Sequence, residues 1–404
     1  MIDILLVNPF SWTRDGRPPY LPYGILYLAS WLEKHNVKVA ICDENAGNDA
    51  IDIIKTQKPG YVGLSVLTGP VLRRAMQITE ATRGKAITIW GGVHATLFPN
   101  QVKNEARPDY VIEGEGENPL ADILGIKARF NYLDDNPIPA WDMIRMEHYI
   151  AKRFWARRIL TLNTSRGCIW ECSFCHNQSR PGTGYQYLSA ENVMKQMGIL
   201  KERYRINGVQ FAEDCFDANK NRLIKICDKN KIKFAHSSSV PFANEDILHM
   251  EKLAGLAFIE YGVESGSQRI LNMLNKKQTP DSIRKAYAMC KRLKIPTGAM
   301  FMIGLPGETK NDLRMTLNLM NEIDCDISVY SIFRPYPGTP IFDRESIKMK
   351  MPQTMNEMAD YYAYGELSPD IDNHSCMSTS YLLKIQRKIW LKNAWKELKR
   401  RLRL

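Results

Sequence analysis

Three cysteines stand together in the run Arg166-Gly167-Cys168-Ile169-Trp170-Glu171-Cys172-Ser173-Phe174-Cys175. Thiolates at this C-x3-C-x2-C spacing can hold three irons of a four-iron cluster, and no fourth cysteine lies nearby in the chain to fill the last coordination site. One iron is then left open to bind a ligand. A zinc site would have to recruit His176 as its fourth ligand. Two adjacent residues are hard to place on one tetrahedral ion, and structural zinc usually pairs ligands from two separate knuckles. The other six cysteines, Cys42, Cys215, Cys227, Cys290, Cys325 and Cys376, are scattered. That pattern suits a reducing compartment better than a disulfide framework.

The cluster loop must be positioned by the elements around it. It follows a strand-like run, Ile159 to Asn163, that opens a βα series with further strands at 208–211, 233–236, 258–262, 298–303 and 327–333. Six such units are too few for a complete eight-stranded barrel and suit an open, partial one. Residues 1–126 form an earlier series with strands at 2–7, 37–41, 61–65, 87–90 and 110–112. Alternation of this kind predicts a doubly wound parallel sheet that binds its ligand at the carboxyl ends of the strands. The candidate loops there are Asn8 to Ser11, Leu67 to Pro70, Gly91 to Thr96 and Glu113 to Glu117, where glycines let backbone approach a ligand closely. Gly91 and Gly92 serve equally well as plain turn formers. The organisation read from sequence is therefore a Rossmann-like domain over 1–126, a linker over 127–150, a partial barrel over 151–345 and a mainly helical segment over 346–404.

The formal net charge is +11 over 404 residues, yet Tyr381 to Leu404 holds nine Lys and Arg against one acid, Glu397. This tail alone carries +8, so the nearly balanced body gives no reason to expect nucleic acid. Leu391, Trp395, Leu398 and Leu402 recur at helical spacing and predict a basic amphipathic helix with that apolar stripe packed on the body. An acidic protein or an anionic surface is the alternative partner. No apolar run approaches the roughly 18 to 20 residues of a membrane span, and no signal peptide precedes the first strand. A cytoplasmic monomer is expected.

The cluster loop, with Phe174 before its last cysteine, resembles that of the radical S-adenosylmethionine superfamily. Four further segments agree in order. Phe211-Ala212-Glu213-Asp214 stands where the family holds the methionyl amine. Tyr261 to Ser267, containing Glu264 and Ser265, is similar to its ribose and carboxylate segment. Met302 to Thr309, containing Ile303, resembles the segment whose backbone packs on adenine, and Pro335 to Thr339 resembles the one after the sixth strand. The resemblance implies a 4Fe-4S cluster whose open iron chelates S-adenosylmethionine and delivers the electron that cleaves it, giving a 5'-deoxyadenosyl radical. On the residues alone, Glu213, Asp214 and Glu264 read as helix caps just as well.

Residues 1–126 resemble the cobalamin-binding domain that precedes the radical domain in one large branch. Ser65, Leu67, Thr68, Gly91, Gly92, His94, Glu113, Gly114 and Glu115 stand at its corrin and nucleotide-tail loops. The D-x-H-x-x-G motif that places a histidine below cobalt elsewhere is absent, since residues 8–16 read NPFSWTRDG. This branch commonly lacks it, so the lower face of cobalt is expected against Leu67 to Pro70 without protein ligation, with His94 at the corrin edge. The implied activity is cobalamin-dependent radical methylation of an unactivated carbon in a small molecule, protein or peptide, with electrons from a flavodoxin or ferredoxin. Cyclisation or rearrangement without methyl transfer is the alternative. Tyr330 and Arg334, facing the cavity by period-2 counting, are candidates for catalytic contact. Tyr361, Tyr362 and Tyr364 either line that pocket or belong to core.

Overall fold

The structure is a computed structural model and describes residues 2–10, 20–179, 184–336, 338–345, 352–362 and 373–402. The chain packs as two units. One comprises Met1–Lys152, Ser179–Arg205 and Met351–Glu366; the other comprises Arg153–Gln178, Ile206–Lys350 and Leu367–Leu404. Residues 127–150 thus pack with the first sheet, and the stretch 346–404 is shared between the units.

In the first unit, β1 (Ile4–Asn8), β2 (Val39–Asp43), β3 (Tyr61–Ser65), β4 (Ile87–Gly91) and β5 (Tyr110–Val111) form one sheet in the order β2-β1-β3-β4-β5. All pairs are parallel. Ile4 to Val7 are buried on both faces of the sheet, as a parallel strand covered by helices requires. Successive strands run outward from β1 in opposite directions, so the order reverses between β1 and β3, where such sheets open a crevice at their carboxyl ends. Trp90 on β4 is fully buried and spends its only polar atom on Thr79, with Nε1 donating to Oγ1 at 2.7 Å.

In the second unit, β6 (Ile159–Leu162), β7 (Gly208–Phe211), β8 (Lys233–Ser238), β9 (Leu256–Glu264), β10 (Thr297–Ile303) and β11 (Ile327–Ile332) lie in sequential order and pair in parallel throughout. The result is the open half-barrel expected. Trp155, Ala156, Ile159, Ala235 and Phe258 plug its amino-terminal end. Gly208 makes that plug possible, because a Cβ there would stand 2.5 Å from the Trp155 ring.

The last helix, Thr379–Leu402, corrects the sequence expectation for its apolar stripe. Leu382, Ile385 and Ile389 are the residues it buries, against Ile303 and Leu313, while Leu391 and Trp395 face solvent. The side chains of Leu398 and Leu402 lie outside the described set.

Candidate functional site

In the first unit the loops after β3, β4 and β5 are stitched together mainly by backbone. The Val66 N–H donates to the Gly91 carbonyl at 2.9 Å and the His94 N–H to the Val66 carbonyl at 3.0 Å. The Thr96 hydroxyl donates to the Gly92 carbonyl at 2.9 Å and accepts from the Gly114 N–H at 2.9 Å. Gly92 adopts φ +90°, and a Cβ on it would lie 2.8 Å from Val66 N. Only glycine allows the two loops this approach. Leu67 projects at the tip with 55% of its surface exposed.

His94 is completely buried and stacked on Phe98 at 4.9 Å, with Nδ1 3.2 Å from the Thr68 hydroxyl. Its Nε2 is buried with no protein partner among the described residues. Burial pushes its pKa down to about 3, so the ring is neutral at any working pH. An exposed leucine, a glycine backbone and an orphaned neutral imidazole nitrogen fit a broad macrocycle with an amide rim. Ser65, Gly91, Glu113 and Glu115 stand at the same strand ends, and Glu113 meets Lys103 only at 3.9 Å. After β1 the side chain of Asn8 donates to Asp43 at 3.0 Å, and residues 11–19 lie outside the described set. Tyr362 is buried, with its carbonyl oxygen 3.2 Å from where a Cβ on Gly69 would be, so it is core beneath the β3 loop; Tyr364 lies outside the described residues.

In the second unit the cluster loop leaves β6 through Thr164 and Ser165. Glu213, past β7, binds that exit: it accepts from the Thr164 N–H at 2.6 Å, from the Thr164 hydroxyl, and from Ser165 Oγ at 2.5 Å. Buried Arg222 donates to the Thr164 hydroxyl and to the Phe216 carbonyl at 3.2 Å. Glu213 therefore positions the loop with a carboxylate whose oxygens are already engaged. Farther along, Ser173 is clamped at both ends, with its N–H on the Leu274 carbonyl at 2.9 Å and its hydroxyl on Met273 at 2.9 Å. Phe174 packs beside Met302, Leu305 and Phe333.

The three thiols are partly exposed and unbridged. Among the described residues no three His, Cys, Asp or Glu side chains converge on the space of a single ion. Three soft donors presented separately on one clamped loop suit a cluster, whose irons each take their own thiolate. Beside them lies an ion pair invisible in the sequence. Lys276 Nζ stands 3.4 Å from Glu264 Oε1, and both side chains are about nine-tenths buried. Burial opposes the Lys276 charge, but Glu264 and the thiols of Cys172 and Cys175 outweigh it and hold its pKa above the ordinary value. A Cβ on Gly262 would be 2.6 Å from Glu264 Oε1 and 3.0 Å from Lys276 Nζ, so a glycine keeps this pocket open. Glu264 itself adopts φ +62° at a shift in the β9–β10 register. Such a conformation costs a non-glycine residue about 1 to 3 kcal/mol and clusters at functional sites.

The fourth thiol absent from the sequence motif appears in space. Cys215, buried just beyond Asp214, hydrogen-bonds through its side chain to Cys168, while the Asp214 carbonyl lies 3.9 Å from Cys168 Sγ. The Asp214 carboxylate is exposed at this rim.

Two expectations need correction. Tyr330 does not face the half-barrel cavity: its hydroxyl meets Met320 Sδ, its ring stacks on Phe301 at 5.0 Å, and it packs on the layer that includes the last helix. The Ile303 side chain belongs to the same layer, which leaves its backbone as the part the resemblance assigns to adenine, and Met302, one residue earlier, packs with Phe174. Ser265 is completely buried, with its hydroxyl 3.0 Å from that of Thr316, so it clamps a helix instead of presenting a donor. Arg334 is half-buried just past β11.

Family models match this chain twice, the B12 binding domain at residues 17–124 and the radical SAM superfamily at 162–320. An uncharacterized methyltransferase of Pyrococcus horikoshii is 29% identical over 359 residues, covering 80% of this chain and 78% of that protein. The anaerobic magnesium-protoporphyrin IX monomethyl ester cyclase of Rubrivivax gelatinosus is 24% identical over 392 residues, covering 86% and 69%. The structure of the radical S-adenosylmethionine methyltransferase TsrM from Kitasatospora setae, with cobalamin and a [4Fe-4S] cluster bound, superposes with a TM-score of 0.72 at 18% identity, covering 86% of this chain and 78% of that one. The chain thus carries a B12-binding domain followed by a radical SAM domain, and the cofactors these imply are a 4Fe-4S cluster, S-adenosylmethionine and cobalamin.

Proposed function

We propose that this enzyme, a B12-binding domain joined to a radical S-adenosylmethionine domain, transfers a methyl group to an unactivated carbon. The observation that carries the reading is that one chain presents both a three-thiol loop beside a buried Lys276–Glu264 pair and a glycine-rich cradle with an orphaned histidine nitrogen. When bound, the cluster supplies the reducing electron, S-adenosylmethionine the hydrogen-abstracting fragment, and cobalamin the methyl group. Cys168, Cys172 and Cys175 would hold the irons. Lys276 would offer its charge to the cosubstrate carboxylate, Asp214 and Glu264 would meet its polar atoms, and Phe174 with Met302 would wall the adenine side. Glu213 and Arg222 keep the loop in register. Leu67, Thr68, Gly92, His94 and Gly114 would cradle the corrin. Arg334 stands as the candidate for substrate contact, and a flavodoxin or ferredoxin supplies electrons.

The test is anaerobic reconstitution with iron, sulfide and cobalamin, followed by product analysis with candidate substrates. Methylation consumes S-adenosylmethionine in two ways, so S-adenosylhomocysteine and 5'-deoxyadenosine accumulate together. The cyclase relative favours a second reading, cyclisation or rearrangement, in which 5'-deoxyadenosine forms without S-adenosylhomocysteine.

A further inference from the structure

The helix Thr379–Leu402 buries one apolar stripe in the half-barrel and carries a second, whose Leu391 and Trp395 are largely exposed. Its rotation about its own axis is fixed by Leu382, Ile385 and Ile389 in the core and by Asn393, which donates to the Ser328 carbonyl at 2.7 Å and accepts from the Ser328 hydroxyl at 3.1 Å. Lys310 over the Tyr381 ring at 5.4 Å pins the first turn. At 3.6 residues per turn, Leu391 and Trp395 then fall on the opposite side. They are 54% and 58% exposed, and Trp390 beside them is 66% exposed. The sequence continues the same spacing with Leu398 and Leu402. Lys384, Arg387 and Lys388 are exposed along this face.

We propose that this outward face docks the enzyme on an anionic lipid surface. An apolar stripe carrying tryptophan and bordered by Lys and Arg matches the boundary between acyl chains and headgroups, where the aromatic and aliphatic groups sink in and the cations stay at the phosphates. The distribution of charge favours a bilayer over an acidic protein. From Tyr381 to Leu404 nine bases stand against one acid, a bulk cationic excess with almost no acid to pair with. A protein groove reads one edge, whereas a charged plane attracts every cation within about a Debye length, roughly 8 Å at physiological salt. No helix among the described residues is long and apolar enough to cross a membrane, so the attachment is peripheral.

The experiment is co-sedimentation of the full chain, with its cofactors reconstituted, with vesicles of phosphatidylcholine alone or mixed with phosphatidylglycerol. Binding is expected only to the mixed vesicles and is expected to fall steeply as salt is raised. The triple variant Lys384→Glu, Arg387→Glu, Lys388→Glu should lose at least tenfold in binding, and Leu391→Gln with Trp395→Gln should weaken it at constant charge. Because these side chains are exposed, both variants should keep the parent melting temperature and the parent cluster and corrinoid spectra, which separates loss of docking from loss of fold. Failure to bind either vesicle, or a triple variant that binds as well as the parent, overturns the proposal. Binding to a polyacidic peptide without binding to anionic vesicles also overturns it, in favour of a protein partner.

Discussion

The loops proposed to cradle the corrin and the cluster loop both hold chain at the carboxyl ends of parallel strands, but with opposite materials. Around Gly92 and His94 the contacts are backbone amides, two threonine hydroxyls and an uncharged imidazole. Around Cys172 they are full charges taken out of water, Lys276 with Glu264 and Arg222 beside Glu213. The difference follows the guest. A large macrocycle is held by shape over a wide area, and a neutral rim costs little to bury. A small zwitterion beside an anionic cluster needs fixed charges, which are worth most where water is excluded. The lesson is that one polypeptide can keep two cofactor sites chemically separate, so each should fail independently.

The sharpest way to break the comparison is Cys172→Ala. Iron content and cleavage of S-adenosylmethionine should be lost essentially completely, while corrinoid binding, read by absorbance after gel filtration, stays at the parental level. Loss of both would mean that the sites are not independent. Lys276→Met should come next, because it strands the Glu264 carboxylate without its cation; removal of one partner of a buried pair costs about 3 to 5 kcal/mol. Adding Glu264→Gln should restore most of the melting temperature but not cosubstrate binding, measured by perturbation of the reduced cluster's EPR signal. Gly92→Ala is the counterpart in the first unit. It meets both a positive φ and the Val66 backbone, so a loss of about 1 to 3 kcal/mol and of corrinoid, with iron retained, is expected.

Titration should sharpen the contrast further. His94, held near 3 in the folded chain, binds fewer protons than the unfolded chain below its ordinary value of 6.5. Stability is therefore lost as pH falls from 6.5, by up to ~1.4 kcal/mol per unit. Glu308, which closes the turn after β10 by accepting from the Gly304 N–H at 2.7 Å, has the reverse sign. Burial raises it from 4.5 to about 7, so the folded state holds the extra proton and stability falls as pH rises between those values. Denaturant melts of His94→Leu and Glu308→Gln should flatten the acid and the neutral slopes respectively; a slope unchanged in either variant assigns it elsewhere. The smallest effect belongs to Cys215→Ala. It removes a hydrogen bond to the Cys168 sulfur, and a redox titration should find the cluster harder to reduce.

What could be read without coordinates was what is local. The cluster spacing lies within ten residues, and each strand of both sheets is a short apolar run between turn residues. Lys276 was hidden because Asn275-Lys276-Lys277 looks like any solvated turn, and only the fold places one of those lysines behind the thiols. Cys215 stands far from Cys168 in sequence and becomes its neighbour through β7 lying next to β6. Tyr330 misled for another reason. Alternation along a strand reports which residues share a face, and assigning that face to the cavity fails where the last helix covers the other side with an equally apolar layer. The same helix misled by carrying two stripes, of which periodicity singled out the solvent-facing one.

The first unit draws on segments far apart in the chain. Gln196, within Ala190–Tyr204, shares hydrogen bonds with the Tyr27 hydroxyl, and Tyr362 closes the floor beneath Gly69. During synthesis the opening sheet therefore leaves the ribosome as an unfinished body, and most of the half-barrel must be made before its last pieces arrive. Splitting the gene near residue 152 would strand those pieces on the wrong fragment, which makes this architecture a poor subject for domain shuffling even though its two cofactor sites are chemically distinct.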